Sequence, residues 1–384
     1  MYVSDPLLVE GIKSYVQYKV TGELLKEPIY RRFSDFYSLR EKLVERWPGI
    51  YIPNLPPKLT MGNLEKKVIE MRTRVINDFC HKTSKFKFII DSEELQIFLI
   101  KSIDVSKVIN HLPKLNYEEI LFRYNKAFPD IKPGGEVELE KFIKIVNDAI
   151  PYMKKVLLNL KGFEESIVAT MTHKENEINY YCNLMNVFED YEKYTLMEYV
   201  NNDENKLVFY NPKNTELCEK IMKLKQNLKN PYNQLNIWLE DDILDFEAMV
   251  GTLESLFNLY DTYDKLCENL ENIENELKSI ESGYSTFKLI LSFKSRETDI
   301  KELNENKNIT IENKNNIEQI IKYSSFHLEK YLEKFKIKKL KRYNKHLTMF
   351  SEEQKMNNDT LNDLWECVSK DKNLKPKEII PNNI

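Results

Sequence analysis

Tyr30-Arg31-Arg32-Phe33-Ser34-Asp35-Phe36, followed by Leu39, is the stretch on which the fold and the function both turn. Two arginines beside an aromatic ring at the end of a strand make a phosphate clamp. Guanidinium binds phosphate through paired donors, and a flat ring can pack on a sugar or inositol face. Taken alone, the heptapeptide reads equally as a strand-end arginine pair in surface salt bridges, with Phe33 in the core. Just upstream, 28–33 reads as a strand. Another is expected over 12–20, where Tyr15, Gln17 and Lys19 alternate with Val16, Tyr18 and Val20. Downstream, Ser34 is expected to cap a helix reaching about Trp47, with Phe36, Leu39, Leu43 and Val44 on one face.

Proline and glycine divide the rest. Six of the 14 prolines (Pro6, Pro28, Pro48, Pro53, Pro56, Pro57) fall within the first 57 residues, and none occurs between Tyr232 and Lys375. A proline costs about 3 kcal/mol inside a helix, so its absence marks long helices. The first ~104 residues read as a mixed domain, closed by helical patterns over 64–81 and 92–101. Beyond it come a short helix over 117–128 and long ones over 137–200, 215–280 and 317–368, with Pro151 expected to kink or split the first and Pro231 to break the second. Gly283 and the Asn-, Lys- and Glu-rich stretch 295–314 read as a tip or loop. Helices of this length, at about 1.5 Å per residue, require an elongated bundle. The expected fold is an α+β domain with a small antiparallel sheet, then an all-α elongated three-helix coiled coil.

Charge follows the same division. Residues 1–104 carry 17 basic against 14 acidic residues and the remainder 40 against 47, so any anion is expected at the first domain. A net charge of −4 argues against general nucleic-acid binding. Neither a signal pattern nor an apolar run of about 18–20 residues is present, which argues against secretion or membrane spanning. The five cysteines are scattered with no CxxC pair, which argues for a reducing, cytoplasmic setting. The five histidines have no metal-ligand spacing, and no GxxxxGK[ST], GxSxG or GxGxxG motif occurs. No enzyme activity, metal or cofactor is expected. Cys80-His81 is a poor nucleophile–base pair, and Asp241-Asp242 reads as a solvated helix face.

In order, Val3-Ser-Asp-Pro6, 15–20, Tyr30–Phe36 with Leu39, the loop 52–58 and Glu70-Met-Arg72 resemble the phox-homology (PX) domain, a phosphoinositide reader. The resemblance covers 1–104 and implies binding of phosphatidylinositol 3-phosphate. It assigns the 3-phosphate to Arg32, stacking on the inositol to Phe33, the 1-phosphate to Lys58, and the 4- and 5-hydroxyls to Arg72. It also implies a membrane-inserting loop at Leu59, Met61 and Leu64. Leu59 and Leu64 alternatively pack under the loop. Lys66 and Lys67 could add about 1 kcal/mol each at anionic lipid, or simply face solvent.

The helical part, 137–375, resembles the BAR domain of sorting nexins. The resemblance rests on Phe326, Tyr331-Leu-Glu-Lys-Phe335, Lys338-Lys339-Leu-Lys341-Arg342-Tyr343, Leu361, Leu364-Trp365, and Trp238-Leu-Glu-Asp-Asp-Ile243 through Phe257, Tyr260 and Tyr263. Dimerisation is implied, with concave-surface candidates Lys334, Lys338, Lys341, Arg342 and Lys345. Asn258-Leu-Tyr260-Asp261 departs from relatives that carry an arginine after the middle-helix Phe. With a charge of about −7 on this part, that weighs against strong lipid binding there. Residues 105–136 are a linker whose helix carries Tyr117, Ile120, Leu121, Tyr124 and Phe128 on one face, and 376–384 a flexible tail. Glu118 and Glu119 on the polar face favour docking of this helix over a membrane wedge.

The function implied is a sorting nexin on the cytosolic face of early endosomes, reading phosphatidylinositol 3-phosphate and sensing or shaping curvature in protein sorting. It would act as a homodimer or a heterodimer with another sorting nexin, with a retromer-type cargo complex as a further partner. The alternative is a PX-targeted coiled-coil adaptor that scaffolds protein partners without bending membrane.

Overall fold

A computed structural model describes residues 1–11, 14–59, 61–101, 103–131, 139–282 and 296–374. The chain forms two compact units, one of Met1–Leu158 with Ile243–Lys336, the other of Asn159–Asp242 with Ile337–Ile384. The expected tail 376–384, the strand start at Ile12 and the helix start at Val137 lie outside the described residues.

The first unit opens with a three-stranded antiparallel sheet in the order β1 (Tyr2–Val9), β2 (Tyr15–Thr21), β3 (Ile29–Arg32). The β2 alternation buries Val16, Tyr18 and Val20, as the sequence pattern requires. β1 was not expected, because Asp5 and Pro6 break its pattern. The strand accommodates them with a bulge between Ser4 and Leu7, where Asp5 takes φ 46°.

α1 (Phe33–Arg46) follows β3 directly. Its N-cap position is Arg32 and not the expected Ser34, because Asp35 accepts the Arg32 backbone N–H at 2.8 Å and starts the helix two residues early. α2 (Lys66–Thr83), α3 (Lys87–Ile90), α4 (Glu93–Leu99) and α5 (Val105–Asn110) complete the mixed domain. Ser92 caps α4 by accepting from the Leu95 N–H.

α6 (Tyr117–Ala127) docks, as its acidic polar face suggested. Ile120 and Tyr124 are buried, and Arg123 forks onto both carboxylate oxygens of Glu94 at 3.0 Å. Glu94 is fully buried and also accepts from Arg46 at 2.8 Å, so one carboxylate ties α1, α4 and α6 together.

Three long helices follow: α7 (Leu139–Tyr191), α9 (Tyr232–Glu281) and α10 (Arg296–Ser369). α8 (Thr215–Asn227) precedes the break at Pro231. Pro151 lies inside α7 without splitting it.

The expected loop 295–314 is corrected from Arg296 onward, where α10 is already helical. Its polar residues are placed against α9: Lys307 pairs with Glu274 at 2.9 Å, and Thr310 is buried and accepts from Asn269. Partnered in this way, a polar stretch is stable as helix.

In the first unit one apolar core runs from the sheet to α9 and α10, joining Tyr18, Phe36 and Ile76 to Met249, Leu256 and Ile320. Tyr51 stacks on Tyr331 at 4.2 Å and donates to Asp245, which also pairs with Lys82 at 2.8 Å. Gly49 has φ +76°, and a Cβ there would meet the Ser324 side chain at 2.9 Å. Only glycine fits so close an approach.

His327 sits in this junction among Phe86, Phe88 and Phe128, with ring centroids 5.4–6.4 Å away. Burial, with Lys334 and Lys330 adding to it, pulls its pKa from 6.5 to about 4. The unfolded chain therefore takes up the proton first as pH falls. The stability tied to neutral His327 is full above about pH 6.5 and lost progressively towards pH 4. We expect His327→Phe to flatten the fall of Tm across that window. Equal slopes in variant and wild type would contradict this.

In the second unit, Glu192 lies in the π-helical turn Glu192–Leu196 and accepts the backbone N–H groups of Val208, Phe209 and Tyr210 at 2.7–3.2 Å. Buried Asn357 bonds both the N–H and the C=O of Lys229, satisfying backbone freed at the Pro231 break. The Asp241-Asp242 pair is not a solvated face. Asp242 is buried and paired with Lys339 at 2.8 Å, and Arg342 lies 3.6 Å from both acids.

Candidate functional site

Strand alternation separates the two arginines of the opening motif. On β3, Ile29 and Arg31 point inward while Tyr30 and Arg32 point outward. Arg31 is 3% exposed, and its guanidinium donates to the carbonyls of Phe98 (2.7 and 2.9 Å), Ile100 (2.5 Å) and Tyr30 (2.7 Å). It satisfies carbonyls at the end of α4, which a helix leaves without partners. Burial pulls its pKa below the usual arginine range. The expectation of a two-arginine clamp is thus corrected: Arg31 is committed to the fold, and Arg32 alone is presented.

Arg32 lines a cavity of about 330 Å³ with Tyr15, Phe33, Lys58, Leu64 and Arg72. The four headgroup residues expected from sequence meet there, each brought by a different local device. Arg32 ends β3, and Phe33 is the first residue of α1. Lys58 ends the Pro56-Pro57 segment, where fixed φ angles stiffen the approach. Arg72 lies in the second turn of α2.

Arg72 is 5% exposed and stacks on the Phe33 ring at 4.1 Å. Its Nε–H has no partner among the described residues. Burial pulls its pKa down, partly countered by Tyr18. A buried guanidinium with an orphan donor at a cavity wall is set to receive an acceptor. Phe33 is itself 8% exposed, with one face covered by Arg72. Among the described residues, no carboxylate forms an ion pair with Arg32, Lys58 or Arg72.

The loop beside the cavity turns its apolar residues outward: Leu59 and Leu64 are exposed, and Met61 is 84% exposed. Asn63 donates to the Leu59 carbonyl at 2.9 Å, and Glu65 N–H to the Gly62 carbonyl at 3.0 Å. The loop is thus shaped by its own bonds, without burial of these side chains.

Tyr15 and Tyr37 were not singled out by the sequence reading. The Arg32 guanidinium lies 3.8 Å over the Tyr15 ring, and Lys58 Nζ lies 4.2 Å over Tyr37. The signal for Tyr37 was its i, i+4 spacing from Phe33. Tyr15 had no local signal, because only the cross-strand pairing of Gln17 with Arg32 brings it to that side chain.

Of the helical candidates, Lys334, Lys338, Lys341 and Lys345 have exposed side chains on α10. Arg342 is half-buried against Asp241 and Asp242. Cys80 is buried, its thiol pushed up to about 12, which removes it as a nucleophile.

The PX domain family matches residues 20–102. Sorting nexin-8 of Homo sapiens is 32% identical over 98 residues, 26% of this chain and 20% of that protein. Sorting nexin 1 of Arabidopsis thaliana is 35% identical over 107 residues, 25% of this chain and 27% of that protein. The chain thus spans about a quarter or less of the length of these relatives. In fold, the cryo-EM structure of the SNX-BAR Mvp1 tetramer is similar over 95% of this chain and 100% of that one, at TM-score 0.56 and 15% identity. Residues 20–102 are therefore a PX domain, and the chain as a whole shares the fold of SNX-BAR Mvp1.

Proposed function

We propose that this chain recognises phosphatidylinositol 3-phosphate on the cytosolic face of early endosomes and pairs through its helices with a second sorting-nexin chain, its own copy or another. So assembled, it senses or shapes curvature in endosomal protein sorting, with a retromer-type complex as cargo partner. The observation that carries the lipid reading is the meeting of Arg32, Lys58 and Arg72, from three separate segments, at one cavity, with no carboxylate among the described residues paired to any of them. A phosphate-bearing ring there gains charge-assisted bonds without displacing an internal anion.

Tyr180, Leu184, Val187 and Tyr191 support pairing: they recur every three or four residues on one face of α7 and are 37–69% exposed. That is the spacing of a helix seam. The fold neighbour, SNX-BAR Mvp1, is a tetramer. Two weak lipid sites in one assembly would bind with avidity neither has alone.

Met61 tests the membrane-facing loop. Met61→Asp is expected to weaken binding to phosphatidylinositol 3-phosphate vesicles by about tenfold, the worth of one buried apolar side chain. Binding of a soluble short-chain form of the lipid should not change. Vesicle affinity within about twofold of wild type would contradict loop insertion.

The adaptor reading is kept because Lys339 and Arg342 are neutralised by Asp241 and Asp242. Electron microscopy of vesicles coated with the full chain separates the two. Tubules support curvature generation, whereas round vesicles at high coverage support the scaffold.

A further inference from the structure

Each pocket cation lies over an aromatic ring. Arg32 covers Tyr15 at 3.8 Å, Arg72 covers Phe33 at 4.1 Å, and Lys58 covers Tyr37 at 4.2 Å. The fold sets these pairs. Gln17 pairs with Arg32 across β2 and β3, so Tyr15, two residues earlier on the same face, is the diagonal neighbour of Arg32. Phe33 and Tyr37 are one turn apart on α1, with ring centroids 6.3 Å apart, so Arg72 and Lys58 are held along one wall.

Long cationic side chains ordinarily lose rotamer freedom when a ligand fixes them. A carboxylate could hold them in advance, but it would repel the incoming phosphate. An aromatic face holds the cation through its quadrupole and leaves its charge free.

We propose that Tyr15 and Tyr37 are positioning residues of the headgroup site, holding Arg32 and Lys58 in the binding geometry before lipid arrives. This rests on the phosphatidylinositol 3-phosphate reading above. Their contribution is preorganisation, not contact with the phosphate.

The test is calorimetric titration of the full chain with soluble short-chain phosphatidylinositol 3-phosphate, which leaves bilayer contacts of the 59–64 loop out of the measurement. Tyr15→Leu should weaken binding about five- to tenfold, and Tyr15→Phe, which keeps the ring, by less than about twofold. Tyr37→Leu and Tyr37→Phe should behave alike, and provide the test should Tyr15→Leu fold poorly. In an Arg32→Ala background, Tyr15→Leu should cause no additional loss, because the residue acts through Arg32. Wild-type affinity in both leucine variants, or a full additional loss on top of Arg32→Ala, would overturn the positioning role while leaving the lipid reading intact. Absence of binding by the wild-type chain would instead refute the lipid reading itself.

Discussion

Arg32→Ala is expected to lower affinity for phosphatidylinositol 3-phosphate by about 30- to 5,000-fold while leaving the thermal midpoint unchanged. Removing one partner of a desolvated charge-assisted pair costs about 2–5 kcal/mol. Arg32 points out of the sheet and makes no side-chain ion pair among the described residues, so the fold loses little when it is truncated. Its neighbour provides the contrast. Arg31→Ala leaves the carbonyls of Phe98 and Ile100 without their donor and should lower stability. Adjacent arginines thus separate binding from folding. Equal loss of stability in the two variants, or retained affinity in Arg32→Ala, would contradict this assignment.

The second large effect is expected at Glu94. This carboxylate is 0% exposed and holds Arg46 and Arg123 together. Glu94→Ala should destabilise the chain by about 3–5 kcal/mol, because it leaves two largely buried arginines without their common partner. Urea unfolding measures this directly; a change below about 0.5 kcal/mol would refute it. The pH dependence has a definite sign. Burial alone would raise the Glu94 pKa, but hydrogen bonds and charge from Arg123, with Arg46 adding, hold it below 4.5. A depressed folded pKa gives stability that is full above the unfolded value. It is lost as pH falls below about 4.5 and through the folded pKa. Glu94→Gln should remove that component of acid sensitivity.

Much of the pocket was legible in the sequence because its residues lie in short, ordered motifs. Arg32, Lys58 and Arg72 each belong to a segment whose local form is set by nearby residues, and the structure brings all three to one cavity. The resemblance pointed to Arg32, but that Arg31 is committed to the fold needed the phase of β3, which a four-residue strand leaves open to either reading. Tyr15 was hidden for a similar reason: its partner is fixed by cross-strand register, which no local pattern states. β1 was missed because Asp5 and Pro6 are poor strand residues, and a bulge that absorbs them is a tertiary solution. The start of α10 was misread because its helix is stabilised by pairing with α9, through Glu274 and Asn269, more than by its own apolar content. Asp241 and Asp242 looked like surface charge until Lys339 and Arg342, a hundred positions on, proved to be their partners.

The most direct test is co-sedimentation of the wild-type chain with vesicles that differ only in headgroup phosphate. One set would carry phosphatidylinositol 3-phosphate and the other phosphatidylinositol, at equal total negative charge made up with phosphatidylserine. The cavity account predicts pelleting with the first set and little with the second, at physiological salt, where diffuse attraction to anionic lipid is screened. Equal pelleting with both would mean that the chain responds to surface charge alone, and that Arg32, Lys58 and Arg72 do not form a headgroup site.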